Sequence, residues 1–145
     1  MKIVPFEARH VRPAAELERL CFSAPWSEEA LLEELDNPRA VFRAAEDEEA
    51  QLMGYVGMHH AGDEGFIANV AVHSFCRRIG VASALLSSLT AYAAEQALAR
   101  LTLEVRVSNT AAIALYEGFG FTRDGVRPGF YTAPSEDAAI YSLWL

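Results

Sequence analysis

A chain of 145 residues that is 52% hydrophobic and 22% charged has the length of one domain and the apolar content to fill its core, which excludes a disordered or low-complexity protein. Its formal net charge of -8, with no Lys/Arg cluster to offset it, argues against nucleic-acid binding and favours a cationic substrate, although the same charge also serves plain solubility. Two cysteines outside any Cys-x-x-Cys pair, no run near the ~20 apolar residues of a membrane span, and a start (Met1-Lys2-Ile3-Val4-Pro5) without a signal-peptide core lead to the expectation of a soluble, cytoplasmic protein with free thiols and no membrane partner.

No repeat or linker divides the chain, so one domain over 1–145 is expected. Ile3 to Phe6 reads as a short strand. Val11, Ala14, Leu17 and Cys21 then recur at helical spacing until Ala24-Pro25-Trp26 interrupts them. Ser27 with Glu28 and Glu29 behind it starts a second helix, which Asn37-Pro38 stops. Ala40 to Ala45 and Leu52 to His60 read as strands joined through an acidic turn, and Gly62-Asp63 marks the next turn. Phe66 to Val72 is apolar at nearly every position, as in a strand buried on both faces. Val81, Ala84, Leu85, Ser88, Leu89, Tyr92 and Ala93 form the clearest helical stripe. Leu101 to Val107 is a strand. Ser108-Asn109 caps a short helix through Tyr116, ended by Gly118 and Gly120, and the strands Phe121 to Val126 and Ala138 to Trp144 follow. The order implies an α/β fold with a mixed sheet and helices on both faces, in which 66–72 and 101–107 form a parallel pair across one helix.

Between the buried strand and the long helix lies Arg77-Arg78-Ile79-Gly80-Val81-Ala82-Ser83. Gly80 and Ala82 let an anion approach the backbone, and the first helical turn presents unpaired N–H groups with the positive end of the helix dipole. The two arginines add charge, so the segment suits a phosphate, though a plain helix start would read the same way. Together with Asn69-Val70-Ala71-Val72, it resembles the Arg/Gln-x-x-Gly-x-Gly/Ala signature of the GNAT acetyltransferase superfamily. The resemblance implies that family's fold, a mixed central sheet of about seven strands flanked by about four helices. It also implies acetyl-CoA as co-substrate, without a metal, and a bulge at which strands 66–72 and 101–107 splay apart. The main chain of Val70, Ala71 and Val72 would then hold the pantetheine arm in the manner of an added strand, and Arg78 to Ser83 the pyrophosphate, beside Arg77.

Glu104 stands inside an apolar strand beside the expected splay. A carboxylate drawn into such a strand becomes a better proton acceptor. An amine acceptor needs one, because an α-amino group of pKa roughly 7.7–8.0 arrives largely as ammonium. Tyr116 could return a proton to the departing thiol. Asn109, two helical turns earlier, lies on the same helix face. The residues alone also allow Glu104 as an exposed strand residue or a partner of Arg106, Tyr116 as a core aromatic, and Asn109 as a helix cap.

Leu103-Glu104-Val105-Arg106, Ser108-Asn109 and Ala111 to Tyr116 are similar to the RimI subgroup, as are Pro25-Trp26-Ser27 and Glu136-Asp137-Ala138. By that likeness Glu104 accepts the proton, Tyr116 donates one and Asn109 touches CoA. The same likeness implies as acceptor the N-terminal alanine of a small-subunit ribosomal protein, acetylated directly within a ternary complex. Trp26 and Tyr131 are candidates for the substrate wall. The sequence departs from the subgroup at Ser74, in place of proline, at Ala82, in place of a second glycine, and at Phe130-Tyr131-Thr132, in place of Tyr-Tyr-Pro. Acetyl transfer to a lysine or a small amine is the alternative on the same chemistry, and a non-catalytic acyl-CoA sensor the alternative from another class. Cys76 has no His or Asp at a partner spacing, which argues against an acyl-enzyme. His59 and His60, as strand neighbours, point to opposite faces and cannot easily share a metal.

Overall fold

The computed structural model describes residues 1–77 and 79–145. Its elements run β1 (Lys2–Pro5), α1 (Ala8–Cys21), α2 (Glu28–Glu34), β2 (Ala40–Glu46), β3 (Leu52–Ala61), β4 (Glu64–Val72), a 3-10 turn (Ser74–Cys76), α3 (Val81–Glu95), β5 (Arg100–Arg106), α4 (Thr110–Gly118), β6 (Thr122–Thr132) and β7 (Ser135–Trp144). The seven strands form one sheet in the order β1-β2-β3-β4-β5-β7-β6. Every neighbouring pair is antiparallel except β4 with β5, the pair joined through α3.

Two cores follow from this sheet. On one face Leu85, Leu86, Leu89 and Ala93 of α3 and Tyr116 of α4 pack on Ile67, Leu101, Leu103, Val105 and Tyr141. On the other, Val11, Ala14, Ala15 and Leu17 of α1 and Leu31 of α2 pack on Phe42, Tyr55 and Ala71. Ser27 caps α2 as its sequence suggests, its Oγ accepting from the Ala30 N–H at 3.1 Å.

Two expectations are corrected. The first half of β4 is not buried on both faces: exposed and buried residues alternate there, and Phe66 is 40% exposed. The helices on its side pack on β2, β3 and the far end of β4, leaving Phe66 in the open. The last hairpin is also longer than expected, with Tyr131 opposite Glu136 and Thr132 opposite Ser135. His59 and His60 do diverge. His59 stacks on Trp26 and bonds Glu34, whereas His60 meets the Tyr92 hydroxyl at 3.3 Å. No helix among the described residues is long and apolar enough to cross a membrane.

Candidate active site

The parallel pairing of β4 with β5 covers only Glu64–Ile67 against Arg100–Leu103. Just beyond, the register of β4 on β3 jumps from Ile67 to Asn69, so Ala68 is the extra residue of a bulge. From there the two strands run on unpaired and an opening lies between them. The main-chain direction at its β4 lip follows from one bond. The His73 N–H donates to the Met53 carbonyl at 2.9 Å, and antiparallel alternation then turns Asn69 and Ala71 toward β3 and Val70 and Val72 toward the opening. Of the three expected main-chain contacts, Val70 and Val72 therefore turn their main chain into the opening, while Ala71 is engaged with Tyr55. The Val72 carbonyl accepts from Arg77 Nε at 3.3 Å and from the Cys21 thiol at 3.8 Å. Arg77 thus leans on the opening, with Nη2 at 3.6 Å from Cys21 Sγ.

At the mouth of the opening Gly80 stands as the N-cap of α3 at φ +85°, where a side chain is strained. A Cβ there would meet nothing within 4 Å. The first hydrogen bond inside α3 is Ala84 N–H to Gly80 carbonyl at 3.0 Å, so the N–H groups of Val81, Ala82 and Ser83 stay outside the helical ladder. The Val81 side chain is buried in the core, and Ile79 is exposed. An extended arm bearing amides fits the open strand edge and an anionic group fits this helix start, which is how acetyl-CoA matches the residues present. The expectation for Arg78 lies outside the described residues.

On the β5 lip Glu104 turns to the α1 face of the sheet. Its Oε1 pairs with Arg127 at 3.3 Å, whereas Oε2 is buried without a hydrogen-bond partner among the described residues. Arg106, the partner the sequence suggested, is held elsewhere. It donates to the Pro134 carbonyl at 2.9 Å and to Glu136 at 3.2 Å, and it covers the Tyr131 ring at 4.4 Å. Glu136 also accepts from the Ser108 N–H at 2.7 Å. The Ser108 bonds and Arg106 hold the Glu136 carboxyl below its ordinary range. This brace joins the last hairpin to the end of β5 and sets Tyr131 near Glu104. Burial and then the nearby Glu104 carboxylate push the Tyr131 phenol up.

Tyr116 reaches in from α4. Its residue is 6% exposed, its ring lies 5.9 Å from Phe121, and among the described residues its hydroxyl makes no hydrogen bond. Burial and then Tyr131 nearby hold its phenol well above the ordinary value of 10.0. Asn109 is the N-cap of α4, its Oδ1 accepting from the Ala112 N–H at 3.2 Å. The Trp26 ring packs 6.3 Å from Phe42, and the Trp26 main-chain N–H donates to Glu18 at 3.0 Å.

Glu104, Tyr131 and Tyr116 therefore follow one another on the β5 side, and the main chain of Val70 and Val72 lines the facing edge of β4. Surface hollows between α1 and α2 and beside Tyr92 lie away from it. Sequence reasoning missed Arg127, Glu18 and Tyr55 as members of the neighbourhood, and it named Asn69 and Glu136 only as parts of motifs, without a role.

The profile of the acetyltransferase (GNAT) family matches residues 11–121. The [ribosomal protein bS18]-alanine N-acetyltransferase of Escherichia coli (strain K12) is 32% identical, over 97% of this chain and 95% of its own. The crystal structure of the ribosomal-protein-S18-alanine N-acetyltransferase from Escherichia coli superposes with a TM-score of 0.89, covering 99% of this chain and 92% of that one at 31% identity. Arabidopsis thaliana NAA60, crystallised in complex with acetyl-CoA, shares the fold at 18% identity, with a TM-score of 0.87 over 99% of this chain and 98% of its own.

Proposed function

The chain belongs to the acetyltransferase (GNAT) family and uses acetyl-CoA, and from that premise we propose that it acetylates the N-terminal α-amine of a protein, an alanine of ribosomal protein bS18 as the Escherichia coli relative is named for. The observation that carries the reading is Glu104 Oε2, a buried carboxylate oxygen without a hydrogen-bond partner among the described residues, on the lip opposite the open edge of β4. Such an atom is a base waiting for an N–H donor, and a sensor that only held acyl-CoA would need none.

Acetyl-CoA supplies a thioester to be attacked by the amine. Val70 and Val72 align the arm through their main chain, and the N–H groups of Val81, Ala82 and Ser83 receive the pyrophosphate, with Arg77, Ile79 and Gly80 lining the approach. Asn109 fixes the start of α4 and with it the position of Tyr116. Glu104 Oε2 takes the ammonium proton, directly or through a water. Tyr116 donates its O–H toward the departing sulfur. The phenol sits above 10 and a free thiol near 8.5, so outright proton transfer to a thiolate is uphill by at least ~2 kcal/mol. The phenol therefore acts chiefly by hydrogen-bonding the sulfur while charge develops. Tyr131 and Trp26 wall the acceptor side, and the whole chain works as one transferase domain in the cytoplasm, where ribosomal acceptors lie.

The test is thiol release from acetyl-CoA with peptides bearing a free N-terminal Ala or Ser, N-blocked peptides carrying lysine, and free polyamines. Turnover confined to the free N-terminal peptides is expected, and Glu104→Gln should lower it about 10²–10⁴-fold while acetyl-CoA binding holds. Turnover on lysine or polyamines alone would refute the acceptor.

A further inference from the structure

The mechanism leaves a second buried polar atom unexplained on the same side of the sheet. Asn69 is 5% exposed, and its Oδ1 is buried with no hydrogen-bond partner among the described residues. Two observations locate it. Ile67 is the last residue of β4 paired with β5, opposite Leu103, and the bulge at Ala68 makes Asn69 the next rung. Glu104 is the next rung on the other lip. Leu103 and Ile67 both point into the α3 core, so Glu104 points to the α1 face, and there Asn69 meets Tyr55. The two orphaned acceptors, Asn69 Oδ1 and Glu104 Oε2, thus stand on opposite lips of one opening and on one face of the sheet.

The orientation of the Asn69 amide is not free. The Tyr55 hydroxyl donates its single proton to Glu18 Oε2 at 2.6 Å, while Glu18 Oε1 takes the main-chain N–H of Trp26 at 3.0 Å. The phenol oxygen is left as an acceptor, and only the NH2 end of Asn69 can bond it, at 3.1 Å. The relay Trp26–Glu18–Tyr55–Asn69 therefore turns Oδ1 away from Tyr55 and keeps it an acceptor. An unmet buried acceptor of this kind is costly to the fold, a loss that a ligand N–H would recover.

We propose that Asn69 Oδ1 is an amine-binding group: it accepts one N–H of the incoming ammonium while Glu104 Oε2 accepts another, so the pair selects a nitrogen that carries at least two hydrogens. The proposal rests on the N-terminal acceptor read above. The relay through Glu18 also ties the α1–α2 loop at Trp26 to this atom, so the wall of the acceptor site and its nitrogen acceptor are set together.

The test is equilibrium binding, with CoA present, of an N-terminal Ala peptide and of the same peptide beginning with lactyl, in which a hydroxyl replaces the ammonium. The hydroxyl has one proton and gives it to the carboxylate, the stronger acceptor. Asn69→Leu should weaken the Ala peptide about tenfold and the lactyl peptide no more than about twofold. Asn69→Ala gives the same readout should the leucine variant fail to fold, and Tyr55→Phe, which unpins the amide, should fall between the wild type and Asn69→Leu. Equal weakening of both peptides, or of neither, overturns the assignment of Asn69 alone. A wild type that binds neither peptide overturns the N-terminal reading, and this inference with it.

Discussion

Replacing Tyr116 with phenylalanine separates function from stability. The ring lies in the core with 6% exposure against Phe121, and phenylalanine keeps its volume and rotamer. Among the described residues the hydroxyl has no hydrogen-bond partner, so removing it deletes no internal bond. A buried hydroxyl left unbonded costs roughly 1–3 kcal/mol, and one still touched by solvent costs less. The expected change in stability is therefore between zero and ~1–2 kcal/mol in the favourable direction, a rise in Tm of at most about 4–8 °C. Turnover should move the other way. Without the O–H the departing sulfur loses its hydrogen-bond donor, which lowers kcat by ~10²–10³ while KM for the peptide stays near its wild-type value. Thermal unfolding followed by circular dichroism, and thiol release at saturating substrates, read the two effects independently. A loss of more than ~1 kcal/mol of stability would show that the hydroxyl is bonded in the fold, and an unchanged kcat would remove Tyr116 from the chemistry.

Gly80→Ala should lower stability by about 1–2 kcal/mol, because φ +85° is left-handed and no neighbour opposes the new methyl, and weaken acetyl-CoA in calorimetric titration by crowding the anion's approach. Leu89→Ala, at a fully buried position of α3, should cost ~2–5 kcal/mol in urea unfolding. Glu136 gives a pH dependence. Its folded carboxyl lies below the ordinary 4.5, so its stabilisation is present above that value and lost as pH falls through the lower folded value. Melting temperatures from pH 6 to pH 3 should therefore fall less steeply at the acid end in Glu136→Gln, and parallel curves would mean the brace to Ser108 and Arg106 contributes nothing.

The central strands and the long helices were legible because they bury periodic apolar sets, from the stripe of Val81 to Ala93 to the alternation around Leu101, Leu103 and Val105. The last hairpin was less so. Pro128 and Gly129 read as loop, yet the chain keeps pairing through an irregular register between Arg127 and Tyr131. Exposure of Phe66 depends on how far α1 and α2 reach across the sheet, which no local pattern carries. The same holds in the site. Glu104 and Tyr116 stand out as polar groups in apolar elements, and the loop at Gly80 by its spacing. That Glu104 pairs with Arg127 while Arg106 serves Glu136 is a matter of which strands lie side by side, β5 against β7 and β7 against β6. The relay from Glu18 to Asn69 likewise joins a helix and two strands, and three separated polar residues give no spacing to read.

The most direct measurement is to find where the acetyl group goes. A peptide with a free N-terminal alanine and an internal lysine is incubated with the enzyme and acetyl-CoA, and fragmentation mass spectrometry locates the added acetyl. Acetylation of the alanine α-amine alone, slowed about 10²–10⁴-fold in Glu104→Gln, is the result expected here. Acetyl on the lysine side chain, or transfer to the α-amine at an undiminished rate without Glu104, would contradict it.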